Sequence, residues 1–127
     1  MTSKNIYDLI IVGAGPGGMS AAIYAARRKI NFFVISMDMG GQLAWSTEVD
    51  NYPGIKKLRG LELVNSFKEH MDSYGVNVKQ EEVISVDKKG KVCVVKTKNN
   101  VYESKAVIIA SGKSPKKLNV PGDEKFF

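Results

Sequence analysis

At 127 residues, with 43% hydrophobic and 25% charged residues and a formal net charge of +6, the chain has the composition of one globular domain. That composition argues against disorder, collagen-like repeats and a disulfide scaffold. The single cysteine, Cys93, excludes an internal disulfide, a CxxC pair and a cysteine-built zinc site within these residues.

The chain opens on a short apolar run, residues 7–12, stopped by glycine, which is the pattern of a strand buried on both faces of a parallel sheet. Gly13-Ala14-Gly15-Pro16-Gly17-Gly18 follows and leads into an alanine-rich helix reaching residue 29. Pro16 suits a first helical turn, and Arg27-Arg28-Lys29 suits the negative end of the helix dipole. Residues 31–35 read as a second strand, so the opening is a βαβ unit with parallel strands. Nothing here reads as a signal peptide, because residues 6–18 contain Asp8 and a glycine turn and lack a basic start and a small-residue cleavage site. No run reaches the ~18 apolar residues of a membrane span, and a reducing, cytoplasmic setting is expected.

A lone GxGxxG is a weak signal, but one that follows a strand and opens a helix inside a βαβ unit is a dinucleotide fingerprint. Gly13 allows the tight turn, Gly15 brings backbone close to a pyrophosphate, and Gly18 lets the helix pack on the strand, with Ala22 keeping that face small. Backbone N–H groups and the positive end of the dipole then hold the anion. The fingerprint expects an acid about 20 residues on to grip a ribose. Ser36 stands at the strand tip and Asp38 two residues later, and either can play that part.

Residues 36–60 form a long polar, glycine-rich connection, a kind of loop that is usually functional. Leu63, Val64, Phe67, Met71 and Tyr74 then recur at helical spacing over residues 61–74, ended by Gly75. His70 on this helix has no positional partner for catalysis. Residues 76–78 read as a third strand, residues 83–86, 92–97 and 101–102 as an antiparallel meander, and residues 106–110 as a return to the parallel sheet. Cys93 falls within the meander and reads as an inert core thiol. Between Lys88 and Lys117 stand nine lysines and one acid, Glu103, so the positive charge is local. Strand alternation puts many of these lysines on a solvated face rather than in a nucleic-acid footprint. No HExxH, paired-carboxylate or metal-ligand pattern is present.

Four ordered motifs carry a family resemblance: the glycine fingerprint with its trailing Ala-Ala-Ile-Tyr-Ala-Ala-Arg; Gly40-Gly41-Gln42-Leu43 followed by Thr47-Glu48-Val49-Asp50-Asn51-Tyr52-Pro53-Gly54; Ala110-Ser111-Gly112; and Val120-Pro121-Gly122. Together they resemble the N-terminal part of the bacterial-type thioredoxin reductases and of the flavoprotein subunit of alkyl hydroperoxide reductase. The resemblance covers essentially the whole chain. It implies an α/β, Rossmann-like, three-layer FAD-binding domain with a central parallel sheet, helices and a three-stranded antiparallel β-meander. Residues 1–127 would then be the N-terminal, incomplete portion of that domain.

The same resemblance places the FAD pyrophosphate at Gly13, Gly15, Pro16, Gly17 and Gly18, and the ribose at Ser36 and Asp38. It places the flavin end beside Gly40, Gly41, Gln42, Leu43 and Asn51, the adenine by the backbone near Val83, and a further close approach at Ala110, Ser111 and Gly112. Gln42 and Asn51 can each donate and accept hydrogen bonds to a flavin edge. Two departures from the family pattern leave the site little changed or richer: Ser111 replaces a threonine, and Ala44-Trp45 replaces threonines, which puts Trp45 beside the flavin or on a partner surface. The third departure bears on activity. In the family the redox CxxC and a second glycine fingerprint for NADPH lie beyond the position matching Phe127, so no catalytic residue is assigned within these 127.

The expected function is therefore the FAD-binding portion of a flavoprotein that passes electrons from NAD(P)H through FAD to a disulfide protein of the thioredoxin type, with a homodimer compatible and neither nucleic acid nor membrane as partner. The alternative is a stand-alone Rossmann-like nucleotide-binding module without redox activity.

Overall fold

The computed structural model describes residues 5–112. Val120-Pro121-Gly122 and three of the lysines, Lys113, Lys116 and Lys117, lie outside them. The elements run β1 (Ile6–Val12), α1 (Pro16–Arg27), β2 (Phe32–Ile35), a 3-10 turn (Gly41–Trp45), α2 (Gly60–Asp72), β3 (Val78–Lys79), β4 (Val83–Lys89), β5 (Val92–Thr97) and β6 (Val101–Ile109). All six strands belong to one sheet, ordered β3-β2-β1-β6-β5-β4. β3, β2, β1 and β6 run parallel, and β6, β5 and β4 are antiparallel.

The sheet buries both faces where β1 and β2 lie at its centre, which is why residues 9–12 and 32–35 are continuously apolar. Leu9, Ile11 and Val34 face the helices and pack with Met19 and Ala22 of α1 and Val64 and Met71 of α2. Ile10, Val12, Phe33 and Ile35 face the other way, where Val95 of β5 and Val83 and Val86 of β4 close over them. Phe33 is fully buried and meets Tyr7 and Tyr102 edge-on, at 4.7 and 5.0 Å between ring centres. Such edge-to-face contacts add to the burial of the rings. The curl of β4 and β5 onto the parallel half gives the three layers: helices, parallel sheet and meander.

Three local expectations are corrected. The strands expected at 101–102 and 106–110 are one strand, β6, whose first half pairs β5 from Val101 to Ser104 while Glu103 to Ile109 pairs β1. The polar Glu103-Ser104-Lys105 hid the join. Ser104 is fully buried with its hydroxyl donating to the Ala106 carbonyl at 2.8 Å, and Lys105 pairs with Asp8 at 3.1 Å. Second, Ile108 and Ile109 are 41% and 65% exposed rather than buried, because β5 leaves β6 at Ser104 and no described residue covers the rest of that side. Third, Cys93 is half-buried rather than core, since it lies close to the exposed hairpin turn at Gly90.

Helix α1 stops two residues before Lys29. Lys29 takes the left-handed conformation, φ 56°, and the Lys29 N–H bonds to the Ala26 carbonyl while the Ile30 N–H reaches the Ala25 carbonyl. That pair of bonds is the Schellman ending, whose left-handed position normally holds glycine. A side chain there costs about 1 kcal/mol of backbone strain. Lys29→Gly is accordingly expected to raise the stability of the folded chain by up to about 1 kcal/mol in urea unfolding, and a loss of stability would show that Lys29 makes compensating contacts.

Candidate functional site

The parallel strands β1, β2 and β6 end side by side at Val12, Ile35 and Ile109. In open α/β sheets ligands bind beyond such carboxyl ends. Backbone hydrogen bonds knit the three exits together: the Gly13 N–H donates to the Ile35 carbonyl at 2.9 Å, and the Ala110 N–H to the Val12 carbonyl at 2.8 Å. The Gly40 N–H reaches the Ala14 carbonyl at 2.7 Å, which draws the second glycine loop onto the first.

The glycines divide into two groups. Gly13 has φ 111° and a Cβ on it would overlap the Ala110 carbonyl, while a Cβ on Gly18 would overlap the Gly13 carbonyl. The fold itself demands these two. Gly15 and Gly17 are different, because a Cβ at Gly15 would meet nothing closer than Gly41 Cα at 3.6 Å, and one at Gly17 nothing closer than Ala110 Cβ at 3.8 Å. Neither has a positive φ. Packing therefore tolerates a methyl group at both, and what their bareness provides is open backbone at the start of α1.

That helix start is built for an anion. Gly15 is the N-cap, Pro16 follows, no side chain caps the helix, and no acid lies in its first turn. The positive end of the dipole and the first-turn N–H groups are left for a ligand. Gly40, φ 98°, and Gly41, φ 55°, bring the second loop against Gly15 at the start of the 3-10 turn. Of the residues on that turn, Gln42 is exposed, while Leu43 packs toward the helix-side core. Trp45 is 82% exposed. Asn51 is exposed beyond the small bridge between Val49 and Leu58 and does not border the cavity described next.

A cavity of about 200 Å³ opens at the strand ends, and Gly13, Ser36, Asp38, Val83 and Ser111 all border it. These five come from distant parts of the chain, and the sheet order brings them together. Ala110 is tied to the strand end by its bond to Val12 and does not border the cavity, and Gly112, φ 66°, continues the turn. The Ser36 hydroxyl donates to the Asp38 carbonyl at 2.7 Å and so shapes the turn that presents the Asp38 carboxylate. A larger cavity, about 420 Å³, is bordered by Ser36 and Asp38 as well and extends from that turn to Lys68, Asp72 and Gln80. It touches neither glycine loop, whereas the smaller one borders Gly13 of the first.

Sequence reasoning missed Glu81 and Glu82, which complete the smaller cavity. Nothing in their local pattern marks them, since two adjacent acids before a strand read as solvated loop. Glu81 Oε1 accepts from Thr97 Oγ1 and from Asn100 Nδ2, both at 2.8 Å, and Oε2 accepts from the Tyr102 hydroxyl. The Tyr102 hydroxyl, with Asn100 and Thr97 beside it, holds the Glu81 carboxyl below the usual range. Burial, together with this neighbouring carboxylate, pushes the Tyr102 phenol up to about 12. Among the described residues no three His, Cys, Asp or Glu side chains gather as a metal ion would require, and no helix is long and apolar enough to cross a membrane.

Residues 7–127 match the model of the family described as pyridine nucleotide-disulphide oxidoreductase. The chain is similar to the thioredoxin reductase of Bacillus subtilis, with 39% identity over 98% of this chain and 40% of that protein. Among solved structures it is similar to thioredoxin reductase from Lactococcus lactis, with TM-score 0.87 and 33% identity over 94% of this chain and 40% of the other. It is also similar to a ferredoxin-flavin thioredoxin reductase from Clostridium acetobutylicum, with TM-score 0.84 and 34% identity over 94% and 42%. The chain thus spans about two-fifths of the length of the relatives it matches.

The division of the glycines has a direct test. Gly15→Ala and Gly17→Ala are expected to move stability by no more than about 1 kcal/mol, whereas Gly13→Ala and Gly18→Ala cost 3 kcal/mol or more, the scale of forced overpacking with backbone strain. Thermal unfolding of the four variants followed by circular dichroism measures this, and four equal losses would refute the division.

Proposed function

Because the chain belongs to the pyridine nucleotide-disulphide oxidoreductase family, we propose that it is the FAD-binding portion of a thioredoxin reductase-like flavoprotein, passing electrons from NAD(P)H through FAD to a disulfide. The observation that carries this reading is the pair of glycine loops joined across Gly15 and Gly41 at the start of an uncapped helix, with a ribose-sized cavity beside them. The residues fit the cofactor. Open backbone at Gly15 and Gly17 takes the pyrophosphate, and Ser36 and Asp38 offer hydroxyl and carboxylate to a ribose. Val83 stands on the adenine side, and the exposed Gln42 and Asn51 are the polar groups on the flavin side.

Asp38, Glu81 and Glu82 border the cavity and no basic side chain does so among its described residues. Asp38 and Glu82 there accept from ribose hydroxyls, Glu81 being taken up by its own donors, and the three acids repel a ribose phosphate, which suits FAD and disfavours an NADP-type nucleotide in this position. When bound, FAD supplies the hydride and electron chemistry, and the chain's part is to hold and orient it. The electron donor would act through residues outside this chain's single fingerprint, and the dithiol would be supplied by residues other than the lone Cys93. A thioredoxin-like protein in a reducing, cytoplasmic compartment is the proposed partner of the whole protein, and a homodimer is compatible with it. Of the described lysines of the basic segment, Lys88, Lys89 and Lys91 are exposed at the β4–β5 hairpin turn and Lys96 and Lys98 at the β5–β6 end, and none borders the cavity, so the reading has no use for nucleic acid or membrane.

The stand-alone nucleotide module is the rival, and binding separates the two. The purified chain is expected to quench FAD fluorescence on binding, with ADP competing, and Gly15→Ala is expected to weaken both by about tenfold, or about 1.4 kcal/mol. It is also expected to show no NADPH-dependent disulfide reduction above a free-flavin blank. Binding of ADP or NAD with no binding of FAD would favour the rival.

A further inference from the structure

We propose that Glu81 is a positioning residue of the nucleotide cavity, fixing the β3–β4 corner as the wall that faces Ser36 and Asp38; this rests on the nucleotide-binding reading above. Few other ties hold the corner: the Ser36 N–H donates to the Lys79 carbonyl at 3.0 Å, and the Gln80 side chain reaches the Met37 carbonyl. β3 is only two residues long, and between it and β4 the turn has one backbone bond, from the Glu81 N–H to the Lys79 carbonyl at 3.2 Å. The Glu81 side chain makes up the deficit by reaching across to the β5–β6 turn.

Its three partners come from one short stretch of chain. Thr97 is buried and its hydroxyl accepts from the Asn100 N–H at 2.9 Å, so the group that donates to Glu81 is itself fixed by the turn. Asn100 and Tyr102 follow on the same turn and strand. Lys79 lies above the rings of Phe33 and Tyr102, at 5.3 and 5.6 Å from their centres, and supplies the nearby positive charge. A carboxylate with three donors is a strong, directional anchor.

The anchor matters to the cavity because Glu81, Glu82 and Val83 are consecutive and all border it. Glu82 is exposed and Val83 half-buried, so neither is held in place by deep burial. Gln80 bonds the Met37 carbonyl at 3.2 Å, tying the same corner to the Ser36–Asp38 turn opposite. Glu81 therefore sets the width of the cavity without itself being the group that grips the ribose. A flexible corner would have to be ordered by the nucleotide at a cost in affinity.

The test is the affinity of the chain for ADP and FAD in Glu81→Ala and Glu81→Gln. The alanine variant is expected to fold cooperatively but to bind both nucleotides about tenfold more weakly. Glutamine keeps a carbonyl for Thr97 and Asn100 and is expected to recover affinity to within about threefold of the parent. Phenolate absorbance reports the anchor separately: without the carboxylate, the Tyr102 titration falls below about 12, while burial still holds it above the free phenol. If Tyr102 titrates lower in Glu81→Ala while ADP and FAD bind as tightly as before, the positioning role is refuted and the functional reading stands. Glutamine binding as weakly as alanine would refute it as well. If the alanine variant does not fold, Tyr102→Phe removes one of the three donors, and it is expected to weaken ADP about threefold; unchanged affinity would overturn the proposal. If the unaltered chain binds neither ADP nor FAD, the functional reading itself fails, and this inference with it.

Discussion

The turn after β1 can form only because Gly13 has no side chain. Its bare Cα lets the Ala110 carbonyl sit against it, and that approach brings the end of β6 alongside the end of β1. The Gly13 N–H holds the end of β2 on the other side. Three strand exits, the start of α1 and the second glycine loop all converge on this turn. Everything that could recognise a ligand is placed relative to it, since Ser36 leaves β2, Ser111 leaves β6 and Gly40 bonds Ala14. A backbone contact, rather than any polar side chain, sets the geometry of the site.

β6 gives the molecule its layered form. One strand serves two partners, parallel to β1 and antiparallel to β5, with Glu103 and Ser104 flanked on both sides. At that point the sheet changes character and folds back on itself. The result is that Phe33, at the centre of β2, is covered by Tyr102 and Val95 from the meander rather than by a further helix. The same fold brings the start of β4 round to the strand ends, which is how Val83 reaches a cavity lined by residues some seventy positions earlier in the chain.

Much of this was legible in the sequence where local physics decides. The βαβ opening, the fingerprint and the amphipathic stripe of α2 follow from periodicity and glycine placement, and their residues lie where those patterns put them. Boundaries were less legible. Lys29 was read as helix because a basic residue suits a last turn, whereas its left-handed backbone lies just outside it. The polar Glu103-Ser104-Lys105 read as a break, because a buried serine bonded to its own strand and a lysine paired to Asp8 are satisfied only by three-dimensional neighbours. Glu81 could not be seen at all. Its partners are sixteen to twenty-one residues away, and no spacing rule links a loop glutamate to a distant turn. Of the site, the glycines were visible through their conformation and Asp38 through its distance from the fingerprint, while Glu81 and Glu82 required the sheet order to be known.

The two kinds of glycine in one short motif also carry a historical meaning. Gly13 and Gly18 answer to the requirements of folding, and Gly15 and Gly17 answer to those of whatever lies over the helix start. A descendant that kept this architecture but gave up its ligand would be released at the second pair and held at the first. Its motif would decay unevenly under drift, with alanine or serine appearing at 15 and 17 while 13 and 18 stayed fixed. The fingerprint is in this sense two overlaid records, one of how the chain folds and one of what it has been kept to hold.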